Sequence, residues 1–152
     1  MVTTLVQMGK VLYTAEAHVT GGRIAGHGRT SDGALEVDLR TPPEMGGDGG
    51  GTNPEQLFAV GYAACFEGAL AAVARREKLE VGDVEIDSKV MLVSAEERTF
   101  TIAVELAVTL PSVEGESAVE LVRAAHRVCP YSNATRGNIE VTLSANGAPV
   151  DA

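Results

Sequence analysis

Apolar and polar residues alternate strictly late in the chain, with Phe100, Ile102, Val104, Leu106, Val108 and Leu110 at every second position. A period of two predicts a strand with one buried face. The same pattern sets Leu35, Val37 and Leu39 against Glu36, Asp38 and Arg40. Residues 10–19 are rich in β-formers, and Gly21, Gly22 and the "SDG" at 31–33 supply turns. Residues 10–40 are therefore predicted to form a three-stranded antiparallel meander. Residues 84–93 form a weaker strand, joined to the strong one through the charged hairpin "SAEERT".

Elsewhere the period lengthens to that of a helix. Residues 41–51, with two prolines and five glycines, break regular structure. Asn53, Pro54 and Gln56 then open a long helix as N-cap, first helical residue and capping-box amide. It is predicted to run to about Lys78. Between Leu57 and Ala74 the only ionisable side chains are Tyr62, Cys65 and Glu67. A helix apolar on nearly all sides is one surrounded by protein. A second helix spans roughly Glu114 to Val128, with Ala118, Leu121, Val122, Ala125 and Val128 on one face. Pro130 ends it, because the residue before proline avoids helical geometry. Ile139, Val141 and Leu143 mark a last strand.

The predicted order is βββ-α-ββ-α-β, with hairpin-sized loops that favour antiparallel pairing, so the class is α+β. No repeat or long linker divides residues 1–152, and one domain is expected. One small sheet gives poor cover to so apolar a helix. A homodimer in which a second chain covers it is expected, against a monomer whose two helices pack together.

Composition narrows the function. Aromatic residues make up 4% and Trp is missing, so Val, Leu, Ile and Ala must build the core. The formal net charge of -9 argues against non-specific nucleic-acid binding and against an anionic membrane surface, both of which need a basic face. "MVTTLVQMGK" lacks the features of a signal peptide, and no segment approaches the ~20 charge-free residues of a spanning helix. A cytoplasmic location is expected, where thiols are kept reduced.

The two cysteines, Cys65 and Cys129, stand 64 residues apart, which excludes C-x-x-C redox motifs and the usual zinc pairings. His18, His27 and His126 form no ligand cluster, so no metal is expected. "GGDGGGT" lacks the Lys of a Walker loop and carries an acid; a mobile lid or a close backbone passage fits it better than phosphate binding. From composition alone, Cys65 reads first as a small core hydrophobe, with a reactive thiol as the alternative.

The residues around both cysteines add more. "GTNPEQLFAVGYAACF" and "AAHRVCPYSNATRGNI", with "YTAEAHVTGGR" upstream, resemble the organic hydroperoxide resistance (Ohr) family of the OsmC/Ohr group over roughly residues 10–146. The resemblance implies an OsmC-like fold, an intertwined homodimer and a thiol-dependent peroxidase acting on organic hydroperoxides in oxidative stress defence. It implies no bound cofactor, but an external dithiol reductant, a dihydrolipoyl group carried on a protein. It also implies that Cys65 is the peroxidatic thiol, Cys129 the resolving thiol, and Arg23 and Glu55 the charged pair beside the reactive sulfur.

Physical chemistry is compatible with these roles. The nucleophile must be a thiolate, and burial alone disfavours one. Arg23 stays protonated and offers a planar fork of donors, while Glu55 can fix its orientation. Cys129 ends a helix, where the dipole opposes an anion, so Cys65 is the better nucleophile. Arg127 and Arg136 weaken that argument if either folds back on Cys129. One continuous helix separates Glu55 and Cys65 by roughly 15 Å along its axis. Either the helix breaks near Gly61, or two chains assemble the site. Met45, Leu57, Phe58 and Tyr131 are candidates to line an apolar channel for the substrate, with core packing as the alternative.

Overall fold

Turn chemistry shapes the first part of the chain. The computed structural model describes residues 9–151, and internal contacts group them into two compact units, one ending at Pro54 and one beginning at Glu55. In the first unit, β1 (Ala17–Thr20), β2 (Gly26–Thr30) and β3 (Glu36–Arg40) pair antiparallel in the order β1-β2-β3. The meander is thus present, but its first strand begins at Ala17, not at residue 10. The "TGGR" turn contains a single helical turn, α1 (Gly22–Ala25). Gly21 has φ 72°, and a Cβ there would lie 2.5 Å from the Ala25 carbonyl oxygen, so no other residue fits without a shift.

The glycine-rich stretch after β3 is a close backbone passage. A short 3-10 turn at Pro43–Met45 bends it. A Cβ on Gly51 would meet the Asp38 carbonyl oxygen at 2.6 Å. The chain then runs along β3, with Thr52 N–H donating to Asp38 O and Arg40 N–H to Thr52 O, both at 2.9 Å.

The second unit holds the long helix α2 (Pro54–Arg76), β4 (Glu85–Ser94), β5 (Phe100–Thr109), α3 (Gly115–Val128), α4 (Pro130–Thr135), β6 (Val141–Ala145) and β7 (Ala148–Val150). Its sheet has the order β4-β5-β6-β7. β4 with β5 and β6 with β7 are antiparallel, but β5 and β6 are parallel, which corrects the expectation of antiparallel pairing throughout. The connection between β5 and β6 carries α3 and α4, and a crossover of that length is what parallel pairing requires. Pro130 also does more than end α3: it opens α4 from the first helical position, where its missing N–H costs nothing.

The core of this unit is aliphatic, as the composition requires. Tyr62, Phe66, Leu70 and Val73 of α2 pack with Val104, Leu106 and Val108 of β5 and with Leu121, Val122 and Ala125 of α3. The alternation along β5 is realised from Val104 onward, while Phe100 stays 67% exposed. Val128 on α3 is 41% exposed, and Cys129 takes the next buried place. By length and composition α2 could itself cross a membrane, so the expectation that no segment comes near a span was too strong. Its buried face nevertheless joins the aliphatic core of the second unit.

Candidate active site

The kink between α3 and α4 brings the two thiols together. Cys129 leaves helical geometry with φ -64° and ψ 124°, while its N–H still donates to Ala125 O and its carbonyl accepts from Asn133 N–H, both at 2.9 Å. Its side chain is fully buried. Cys65 sits on α2, half-buried, and lies close enough to Cys129 for one thiol to affect the ionisation of the other; neither is in a disulfide. Burial pushes the Cys65 thiol above its ordinary pKa, and the Cys129 thiol adds to that rise. The backbone N–H of Tyr131, close to the Cys65 sulfur, acts in the opposite sense.

An aromatic cluster lies beside the thiols. The ring centroids of Phe58, Tyr62 and Tyr131 are 5.6 to 5.9 Å apart. Gly61 makes room for Tyr131, because a Cβ there would meet the Tyr131 hydroxyl at 2.9 Å. Tyr131 is 37% exposed, so the cluster reaches the surface.

Behind it runs a buried polar network. Tyr62 Oη lies 2.8 Å from Ser132 Oγ and 3.3 Å from Thr135 Oγ1. His126 Nδ1 lies 2.8 Å from Ser132 Oγ, and Thr135 Oγ1 donates to Tyr131 O at 2.9 Å. Burial and the nearby Arg136 hold the His126 pKa below its ordinary value. Tyr62, His126, Ser132 and Thr135 were not anticipated as site residues. The signal was faint: one hydroxyl in an apolar helix, and a hydroxyl-rich run after a proline.

The second unit thus brings Cys65, Cys129, Phe58 and Tyr131 together, with Leu57 half-buried next to Phe58. Glu55 lies in the first turn of α2, half-buried, and α2 runs unbroken through Gly61, which removes the option of a helix break there. Arg23 belongs to the first unit, on α1, half-buried. Met45 is in that unit too, lining a cavity of about 360 Å³ with Ile24, Arg40 and the glycine stretch. The Arg136 guanidinium donates to the His126 carbonyl and to Asn133 Oδ1, and Arg127 lines a cavity with Glu77 and Glu120. Among the described residues, no group of three His, Cys, Asp or Glu side chains could hold a metal ion.

Known proteins share this arrangement of sequence and fold. The family model described as OsmC-like protein matches residues 47–144. An organic hydroperoxide resistance protein of Xanthomonas axonopodis pv. citri is 56% identical over 137 residues, covering 89% of this chain and 95% of the relative. A crystal structure of an organic hydroperoxide resistance protein from Legionella pneumophila superposes with a TM-score of 0.85 at 50% identity, covering 89% of this chain and 98% of that one. The OhrB structure of Bacillus subtilis gives 0.80 at 48% identity, covering 88% and 98%. With this α+β fold and this degree of identity over nearly its full length, the chain belongs to the organic hydroperoxide resistance family of OsmC-like proteins.

Proposed function

We propose that the chain serves in organic hydroperoxide resistance as a cysteine-dependent peroxidase. The observation that carries this reading is the meeting of two free thiols from distant parts of the sequence, one half-buried and one fully buried, beside an aromatic cluster that reaches the surface. Relatives named for organic hydroperoxide resistance support the substrate class.

The cycle balances with these groups. The Cys65 thiolate attacks the distal oxygen of ROOH; the O–O bond breaks, ROH leaves with a proton, and Cys65 becomes a sulfenic acid. The Cys129 thiol displaces water from it to form the Cys65–Cys129 disulfide. A dithiol, with a dihydrolipoyl protein as the proposed reductant, exchanges this back to two thiols and is itself oxidised to a cyclic disulfide.

Ionisation is the difficult step, because burial holds the Cys65 thiol high. In this reading Arg23 supplies the cation that favours the thiolate and stabilises charge on the leaving oxygen, and Glu55 orients Arg23. Phe58 and Tyr131, with Leu57 and Met45, are proposed to receive the alkyl chain. Val60 on α2 is 72% exposed, and a second copy of the chain is proposed to cover it in a homodimer. The proposed setting is the cytoplasm, where dithiol reductants are available.

The test is steady-state consumption of cumene hydroperoxide with dihydrolipoamide. Cys65→Ser should lose activity by at least about a thousandfold, the scale of removing a nucleophile. Cys129→Ser should reduce one equivalent of hydroperoxide and stop with a trappable sulfenic acid. Multiple turnover in Cys65→Ser, or a single oxidation without turnover in the wild type, would sink the reading.

A further inference from the structure

Ser132 is the point at which three helices are tied. It is fully buried, and its hydroxyl contacts Tyr62 Oη of α2 and His126 Nδ1 of α3, each at 2.8 Å, while Ser132 itself lies on α4. The proton order in the network can be worked out, because each hydroxyl has one proton to give. Thr135 Oγ1 gives its proton to the Tyr131 carbonyl at 2.9 Å. Tyr62 must then donate to Thr135, Ser132 to Tyr62, and His126 Nδ1–H to Ser132. Only this order supplies a proton to every contact, and it calls for a proton on His126 Nδ1. The depressed pKa of His126 favours the neutral ring, with that proton on Nδ1.

The positions of the two outer partners give the network its meaning. Tyr62 precedes Cys65 by three residues on α2, and His126 precedes Cys129 by three residues at the end of α3. Residues three apart on a helix share a face. Each thiol therefore has, one turn before it, a side chain bonded to the same hydroxyl. Tyr131, whose backbone N–H lies near the Cys65 sulfur, is the residue next to Ser132 in sequence.

We propose that Ser132 is a positioning residue for the thiol pair: its hydroxyl, bonded to the residue one turn before each cysteine, sets the approach of Cys65 to Cys129 and keeps the Tyr131 N–H near the Cys65 sulfur. Loss of the hydroxyl loosens α4 against α2 and α3, leaving the Tyr62–Thr135 contact and the Arg136 bond to the His126 carbonyl. The N–H then holds the thiolate less well, and the resolving thiol no longer waits at a fixed distance. The inference deepens the peroxidase reading, but its main measurement does not depend on peroxide chemistry.

The experiment uses full-length reduced protein carrying Cys129→Ser, so that Cys65 alone reports. The pH dependence of thiolate absorbance and of alkylation by iodoacetamide is followed with and without Ser132→Ala. The midpoint should rise by about half a unit to one unit, which lowers the thiolate fraction below the midpoint by about three- to tenfold. Tyr62→Phe removes only the other oxygen of the clamp and should shift the midpoint the same way; it carries the test if Ser132→Ala does not fold. The double variant should shift no further than either single one, because a network broken once is broken, whereas general loosening would add. With Cys129 restored, disulfide closure after one equivalent of cumene hydroperoxide should slow. An unmoved midpoint in both single variants overturns the proposal. Absence of wild-type turnover with a moved midpoint would instead refute the peroxidase reading and leave the positioning role in place.

Discussion

His126 is a buried histidine whose two main influences, desolvation and the Arg136 guanidinium, both oppose its charge. Its native pKa lies below the ordinary 6.5, which its unfolded form keeps. Between those two values the unfolded chain binds more protons than the native one, so stability falls as pH falls. The contribution is complete above pH 6.5 and is lost on acidification towards the native pKa. His27 acts in the opposite sense: its hydrogen bonds to Asp38 and Glu36 raise its pKa, and its small contribution is present below 6.5 and fades as pH rises through the raised value. Urea unfolding of wild type and His126→Gln at pH 8 and pH 5.5 separates the two, because His27 and the carboxylates are common to both proteins. The wild type should lose more stability on acidification than the variant; equal losses would mean that His126 is not held neutral. At this scale both thiols were legible in the sequence as candidates, since a cysteine is a possible nucleophile wherever it stands, although its surroundings decide whether it reacts. Their meeting was implied by the family resemblance alone, because spacing along a chain does not give distance across a fold.

Gly61 shows how an element can matter more than the residue in it. In mid-helix, Gly→Ala ordinarily gains about 0.5–1 kcal/mol. Here the new methyl would meet the Tyr131 hydroxyl at 2.9 Å, but that is the tip of a partly exposed side chain, which can swing outward. Gly61→Ala should therefore fold with a stability within about 1 kcal/mol of wild type. It should displace Tyr131 from Phe58 and Tyr62, and in the proposed reaction raise KM for cumene hydroperoxide several-fold with a smaller change in kcat. An unchanged KM would show that Tyr131 does not receive substrate. The strands and long helices were legible because β5 and α3 repeat their apolar residues at the periods of their own geometry. The six-residue α4 has too few positions to show a period, and the three-residue β7 fewer still. The parallel pairing of β5 with β6 depends on where the intervening helices return the chain, which no local pattern records.

For the whole molecule the central question is whether Arg23, in the first unit, serves Cys65, in the second, as proposed, and from which chain. Glu55 and Cys65 share one uninterrupted helix, so roughly 15 Å of axis separates them. The proposed dimer offers a site assembled from two chains. Co-refolding equal amounts of Arg23→Ala and Cys65→Ser subunits tests that. Neither parent alone should turn over, while random pairing of a two-fold dimer leaves about a quarter of the wild-type sites complete if Arg23 acts across chains. No recovery of activity would assign Arg23 to the cysteine of its own chain.

The sequence by itself determined the order of the main elements, the aliphatic core, the two candidate thiols and, through its long motifs, the family. These follow from local periodicity, side-chain chemistry and residue identity, all of which are properties of neighbouring positions. Only the tertiary structure decided that the backbone of Tyr131 lies beside Cys65, and that Ser132 binds Tyr62 and His126 at once. Those contacts join residues up to 70 positions apart, and they exist because packing the apolar faces of α2 and α3 leaves buried polar groups to find partners within the protein.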